Sequence, residues 1–113
     1  MQLRLSRIVL FTANMDKMVA FYRDVLGFKL KTDEKDWKEF DAGSCGIALH
    51  SGGRKPGPRS PKLAFDVKDV AVTRDALIAR GAKMGKISSK DGLDFCGGKD
   101  PDGNPFGLTN RNQ

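Results

Sequence analysis

The stretch Ser6–Phe28, SRIVLFTANMDKMVAFYRDVLGF, reads as a strand, an amphipathic helix and a helix stop, and it sets the plan of the chain. Ile8, Leu10 and Thr12 alternate with Arg7, Val9 and Phe11. Both sets carry apolar groups, as in a strand covered on two faces. Asn14 suits an N-cap, and Asp16 in the first turn complements the positive helix end. Met15, Met18, Val19, Tyr22, Val25 and Leu26 then recur at i, i+3, i+4 and i+7, forming one apolar stripe. Gly27 ends the helix at the C′ position, where the left-handed conformation favours glycine.

Outward from this unit, alternation predicts strands over 28–32, 37–41 and 45–50. The segment Ser51–Pro61, SGGRKPGPRSP, is rich in glycine, proline and basic residues and reads as a linker. A similar unit then restarts. Lys62–Val67 alternates as a strand, Asp69 can cap a helix reaching Arg80, and Gly81 stops it. Val70, Arg74, Leu77 and Ile78 share one side of that helix. Strands are expected over 82–87, 93–97 and 105–110, with the turn-rich Lys99–Asn104, KDPDGN, joining the last two as a hairpin. The order is βαβββ, loop, βαβββ: an α+β fold in one domain, with module 1 at 3–51, a linker at 52–61 and module 2 at 62–110. A fixed offset lays Arg7 on Lys62, Asn14 on Asp69 and Phe40 on Phe95, a repeat of pattern more than of identity.

Composition narrows the function classes. The chain has 113 residues, 39% hydrophobic and 30% charged, an ordinary globular balance. Twenty Lys and Arg against 14 Asp and Glu give a net charge of +6. The basic residues are scattered apart from Arg54, Lys55 and Arg59, with no aromatic-interleaved basic helix, so no nucleic-acid partner is expected. No apolar run approaches the roughly 20 residues a membrane helix needs, and MQLRLSR lacks the apolar core of a secretory signal. Cys45 and Cys96 form no CxxC pair, which fits reduced thiols in a cytoplasmic protein.

Strand alternation also sorts side chains by face. If Ile8, Leu10, Phe40, Ile47, Leu49, Leu63, Phe65, Phe106 and Leu108 pack against the helices, the opposite face is determined. It carries Arg7, Val9, Phe11, Glu39, Asp41, Ala48, His50, Lys62, Ala64, Asp66, Asp94, Cys96, Gly107 and Thr109. That face is polar for the inside of a small protein and suits a ligand pocket. The alternative is that its acids and bases neutralise one another in the core or at a subunit interface.

Two motifs carry a resemblance: Phe21-Tyr22-Arg23-Asp24-Val25-Leu26-Gly27-Phe28 and Asp100-Pro101-Asp102-Gly103-Asn104-Pro105-Phe106. Together with Gly46–His50 and Lys62–Val67 between them, they make the chain resemble the vicinal oxygen chelate superfamily. That group includes glyoxalase I, extradiol dioxygenases and bleomycin resistance proteins. The resemblance implies concave mixed sheets enclosing a cup, and a homodimer. In the metal-dependent members, four strand positions supply His and Glu ligands; carried over by the motifs, they fall at Arg7, Ala48, Lys62 and Gly107. Two of these are cations and two offer no donor, so the resemblance here implies neither the usual metal nor any other cofactor.

The leading expectation is therefore a metal-independent small-molecule pocket for an anionic or aromatic ligand. Arg7 and Lys62 would anchor it, and Glu39 and Asp94 would be repeat-related partners of those cations. Phe11, Trp37, Ala48, His50, Cys96 and Gly107 would line it. The alternative is a lyase or isomerase resembling glyoxalase I with a non-standard metal site, for which His50, Glu39, Asp41 and Cys96 are the available donors. Cys96 as a nucleophile would need a cation such as Lys62 or Arg7 beside it. A third reading is a structural or regulatory dimer with a filled cup.

Overall fold

The computed structural model describes residues 1–53, Gly57 and 60–113, so Arg54, Lys55 and Arg59 of the basic loop lie outside the described residues. The chain divides into two compact units, Met1–Lys55 and Pro56–Gln113. The first holds strands β1 (Arg7–Thr12), β2 (Lys29–Glu34), β3 (Trp37–Asp41) and β4 (Gly46–Ser51), with helix α1 (Met15–Ala20) extended by a π-helical turn over Phe21–Val25. The second holds β5 (Leu63–Asp66), α2 (Val70–Ala79), β6 (Ser88–Lys90), β7 (Leu93–Lys99) and β8 (Pro105–Thr109). Each unit forms a four-stranded mixed sheet, ordered β1-β4-β3-β2 and β5-β8-β7-β6. In each, the first strand pairs parallel with the last and the remaining pairs are antiparallel. This is the expected twice-repeated βαβββ order.

In the first unit Met18, Tyr22, Phe40, Ile47 and Leu49 are buried, so the helix stripe packs on the predicted sheet face. Asn14 stands at the N-cap, but its side chain makes no capping hydrogen bond; its N–H donates to Thr12 Oγ1 at 2.9 Å. The π turn was not anticipated. There the Leu26 N–H reaches back five residues to the Phe21 carbonyl at 2.9 Å, which widens the helix so that Phe21 is buried beside Tyr22. Gly27, at φ +81°, ends the helix in the left-handed conformation as expected.

In the second unit Asp69 caps α2 through Oδ1, which accepts the Val72 N–H at 3.0 Å. Val70 and Leu77 are buried, whereas Ile78 points to solvent, a correction to its predicted side. The segment 82–87 contributes only a bridge from Met84 to Gly98 instead of the expected strand. The strand lies further on, at β6, because Asp91-Gly92 makes the β6–β7 turn. Both residues have positive φ (+53° and +79°), the geometry of a two-residue type I′ hairpin. KDPDGN closes the β7–β8 hairpin as predicted. The buried Asp100 organises that loop: Oδ1 accepts the Asp102 and Asn104 N–H groups, each at 2.9 Å, and Oδ2 accepts Asn104 Nδ2 at 2.7 Å.

Candidate functional site

The face of the first sheet turned away from α1 is arranged in three cross-strand rows. Register places Arg7 beside Gly46 and Asp41, Val9 beside Ala48 and Glu39, and Phe11 beside His50 and Trp37. One end is therefore aromatic and the other ionic. Phe11 (54% exposed) lies 5.4 Å from the His50 ring, and Trp37 meets His50 edge-on at 5.9 Å. His50 Nδ1 sits 2.8 Å from the Ser51 carbonyl, which can only accept, so this nitrogen carries a hydrogen. A groove of about 520 Å³ runs beside Trp37 and His50 over the β2–β3 turn.

At the ionic end Arg7 Nε donates to Glu39 Oε1 at 2.9 Å. The Glu39 side chain is only 8% exposed and that of Arg7 43%. Burial of a carboxylate is costly unless it is paired, and this bond supplies the pair. The carboxylate lies against Gly46, where an added Cβ would come within 2.3 Å of Glu39 Oε2. Glycine is thus what admits Glu39 to this place. Glu39→Ala is expected to cost roughly 1.5–3 kcal/mol through loss of a charged hydrogen bond, with Glu39→Gln recovering part of it. Urea unfolding midpoints would measure this, and Gly46→Ala should mimic Glu39→Ala by displacing the carboxylate. The groove here, of about 260 Å³, is also lined by Arg4 and Lys31, which the sequence reading passed over. Lys31 lies at the irregularity in the β2–β3 pairing, where alternation does not predict its surroundings.

On the second sheet the corresponding open face carries Ala64, Thr109, Gly107 and, on β7, Phe95 and Gly97. Two expectations need correction. Cys96 is fully buried on the helix side, its Sγ donating to the Gly85 carbonyl at 3.3 Å, so its thiol does not face the open side of the sheet. Asp94 shares that phase and is not the repeat counterpart of Glu39, though it does line a trough beside Phe95; its Oδ1 accepts the Ser89 hydroxyl at 2.6 Å at the hairpin end. The fixed offset fails because the connection from α2 into the sheet is longer in the second unit. The position facing Gly107 across the strands, as Glu39 faces Ala48, is Gly97.

Phe95 is the residue the sequence reading missed, having been matched to the buried Phe40. It is 37% exposed, and Lys62 Nζ lies 4.3 Å from its ring centroid. The ring's Cε2–Cζ edge is turned to Gly107, where an added Cβ would come within 2.6 Å of Phe95 Cε2. A trough of about 540 Å³ opens here, lined by Lys62, Lys90, Arg111, Phe95, Ser88 and Thr109 among others. The signal was available: counting outward from the DPDGN loop pairs Lys99 with Pro105, and so Phe95 with Thr109.

The four positions implied for metal ligands do not fit a metal. Arg7 is committed to Glu39, Ala48 is buried without a donor, Lys62 lies over Phe95, and Gly107 meets the edge of the same ring. Among the described residues no three His, Cys, Asp or Glu side chains come together as a metal site. His50, Glu39 and Asp41 occupy separate cross-strand rows, and Cys96 is in the core of the other unit.

Comparison with known proteins agrees with this architecture. TnmS3, an antibiotic binding protein from Streptomyces sp. CB03234, has TM-score 0.80 and 21% identity, with 95% of this chain and 94% of that one covered. A glyoxalase/bleomycin resistance protein/dioxygenase from Nocardioides gives TM-score 0.84 at 16% identity, covering 96% and 83%. A lactoylglutathione lyase from Agrobacterium tumefaciens gives 0.76 at 18%, covering 93% and 91%. At these identities the likeness concerns the fold. No curated protein matches the chain in sequence. The family model for the Glyoxalase/Bleomycin resistance protein/Dioxygenase superfamily matches residues 4–108, nearly the whole chain. The chain belongs to that superfamily.

Proposed function

We propose that the protein is a metal-independent small-molecule-binding member of its superfamily, taking an anionic or aromatic ligand on the open sheet faces and working as a homodimer. One observation carries this reading: at a position where metal-dependent relatives would hold a ligand, Lys62 is laid over an exposed aromatic ring. A cation beside a ring recognises charge and π-surface, whereas a metal centre needs convergent donors. Arg7 adds a second cation, and its guanidinium has donors enough to hold Glu39 and an anion together. Phe11, Trp37 and His50 supply aromatic surface on the first sheet. An antibiotic-binding protein of the same fold supports the reading. The lyase or isomerase alternative has no donor set to rest on among the described residues.

The test is a thermal-shift screen of a broad library of small anions and aromatic compounds, with elemental analysis of the purified protein. Expected results are one or more compounds that raise Tm in proportion to ln(1 + [L]/Kd), and a Tm unaffected by EDTA. Stoichiometric, tightly held zinc, nickel or iron would overturn the proposal. Light scattering checks the dimer.

A further inference from the structure

The geometry points to a more specific ligand class for the second sheet: an aromatic anion, such as an aryl carboxylate, that must present both charge and ring. This rests on the small-molecule reading above and narrows it. The reason is how Phe95 is held. Its Cε2–Cζ edge is turned to Gly107, and the Lys62 ammonium sits over the ring 4.3 Å from its centroid. The face beneath the ammonium offers a stacking surface only when Lys62 moves aside.

An anion can move it. An exposed cation–π contact is weaker than a charge-assisted hydrogen bond, so a carboxylate draws the ammonium off the ring. The uncovered ring then takes a ligand's aryl group, offset-stacked or edge-to-face. A bare anion would forfeit the cation–π contact without refilling the ring. To stack on that face, a neutral aromatic would have to displace Lys62 with nothing to offer it. Each half alone is therefore penalised, and the two together are selected. The surroundings fit such a ligand. Lys90 and Arg111 line the same trough as Lys62, leaving it net cationic against Asp91 and Asp94, and Asp94 already accepts the Ser89 hydroxyl. A volume of about 540 Å³ accommodates a two-ring compound.

The test uses 1-naphthoate, acetate and 1-naphthalenemethanol as probes of the intact protein, followed by amide NMR. Expected for the wild type is 1-naphthoate binding with shifts centred on 93–99 and 107–109, at least about tenfold tighter than either other probe. Lys62→Met should reduce naphthoate to the affinity of the neutral alcohol, and Phe95→Leu to that of acetate. Unchanged amide spectra away from the site would show that both variants fold, since Lys62 is exposed and Phe95 lies outside the core. Equal affinity for naphthoate and acetate, unchanged binding in both variants, or shifts centred on Trp37 and His50 would overturn the inference while leaving small-molecule binding intact. No naphthoate binding would overturn it as well; the broader reading falls only if the library screen is also empty.

Discussion

Phe40→Ala is expected to lower unfolding stability by roughly 3–5 kcal/mol, the range for removing a buried aromatic ring from a packed core. Phe40 is fully buried on β3, opposite Ile47 on β4 and Leu30 on β2, with the Tyr22 ring centroid 6.0 Å away. It is therefore the point where the helix stripe and three strands meet. Loss of the ring removes its transfer energy and leaves a cavity that strands tied by ladder hydrogen bonds cannot collapse. Because small domains are stable by only about 5–15 kcal/mol, this variant should unfold at much lower urea concentration. Phe40→Leu should lose much less. A change below about 1 kcal/mol in Phe40→Ala would show that the ring is not packed as described.

Asp100→Ala is the second large effect, expected at about 3 kcal/mol. Three donors converge on this buried carboxylate: the N–H groups of Asp102 and Asn104 and the Asn104 side-chain amide. Each orphaned, partly buried donor costs about 1–3 kcal/mol, less wherever water can enter the loop. Asp100→Asn keeps one acceptor oxygen and should retain part of the stability. Hydrogen exchange offers a direct check, since the Asp102 and Asn104 amides should exchange much faster in Asp100→Ala while those of β4 do not. The effect should reach the open face as well. This loop sets the β7–β8 register, and that register places Phe95 opposite Thr109 and Gly97 opposite Gly107.

The acidic partner in the first recognition motif behaves differently. Arg23 donates to both oxygens of Asp24, at 2.8 and 3.0 Å, and these hydrogen bonds hold the Asp24 carboxyl below the usual carboxylate range. The pair is solvent-exposed, so it marks the family without stabilising the fold appreciably.

What was legible in the sequence follows the local rules. Helix stripes, Gly27 and Gly81 as stops, Asp69 as a cap and DPDGN as a turn are each set by residues within a few positions of one another. The rows on the first sheet were also legible, because its strands alternate cleanly from Arg7 to Phe11 and from Trp37 to Asp41. The misreadings share one cause. Asp94 and Cys96 were assigned to a face, and Phe95 matched to Phe40, by carrying the first module's spacing into the second, and in a strand a one-residue slip exchanges the two faces completely. The phase of β7 is decided by its hydrogen-bonded partners through two turns, Asp91-Gly92 on one side and the Asp100 loop on the other.

By itself, then, the sequence determined the twice-repeated βαβββ order and the family, and put Arg7, Ala48, Lys62 and Gly107 at the positions where the resemblance implies metal ligands, since these depend on residue identity and local periodicity. Only the tertiary structure decided what those residues do. That Arg7 is held by a buried Glu39 and that Lys62 covers a ring whose edge is turned to Gly107 depend on register and on the space a missing Cβ leaves, and neither is encoded at any single position.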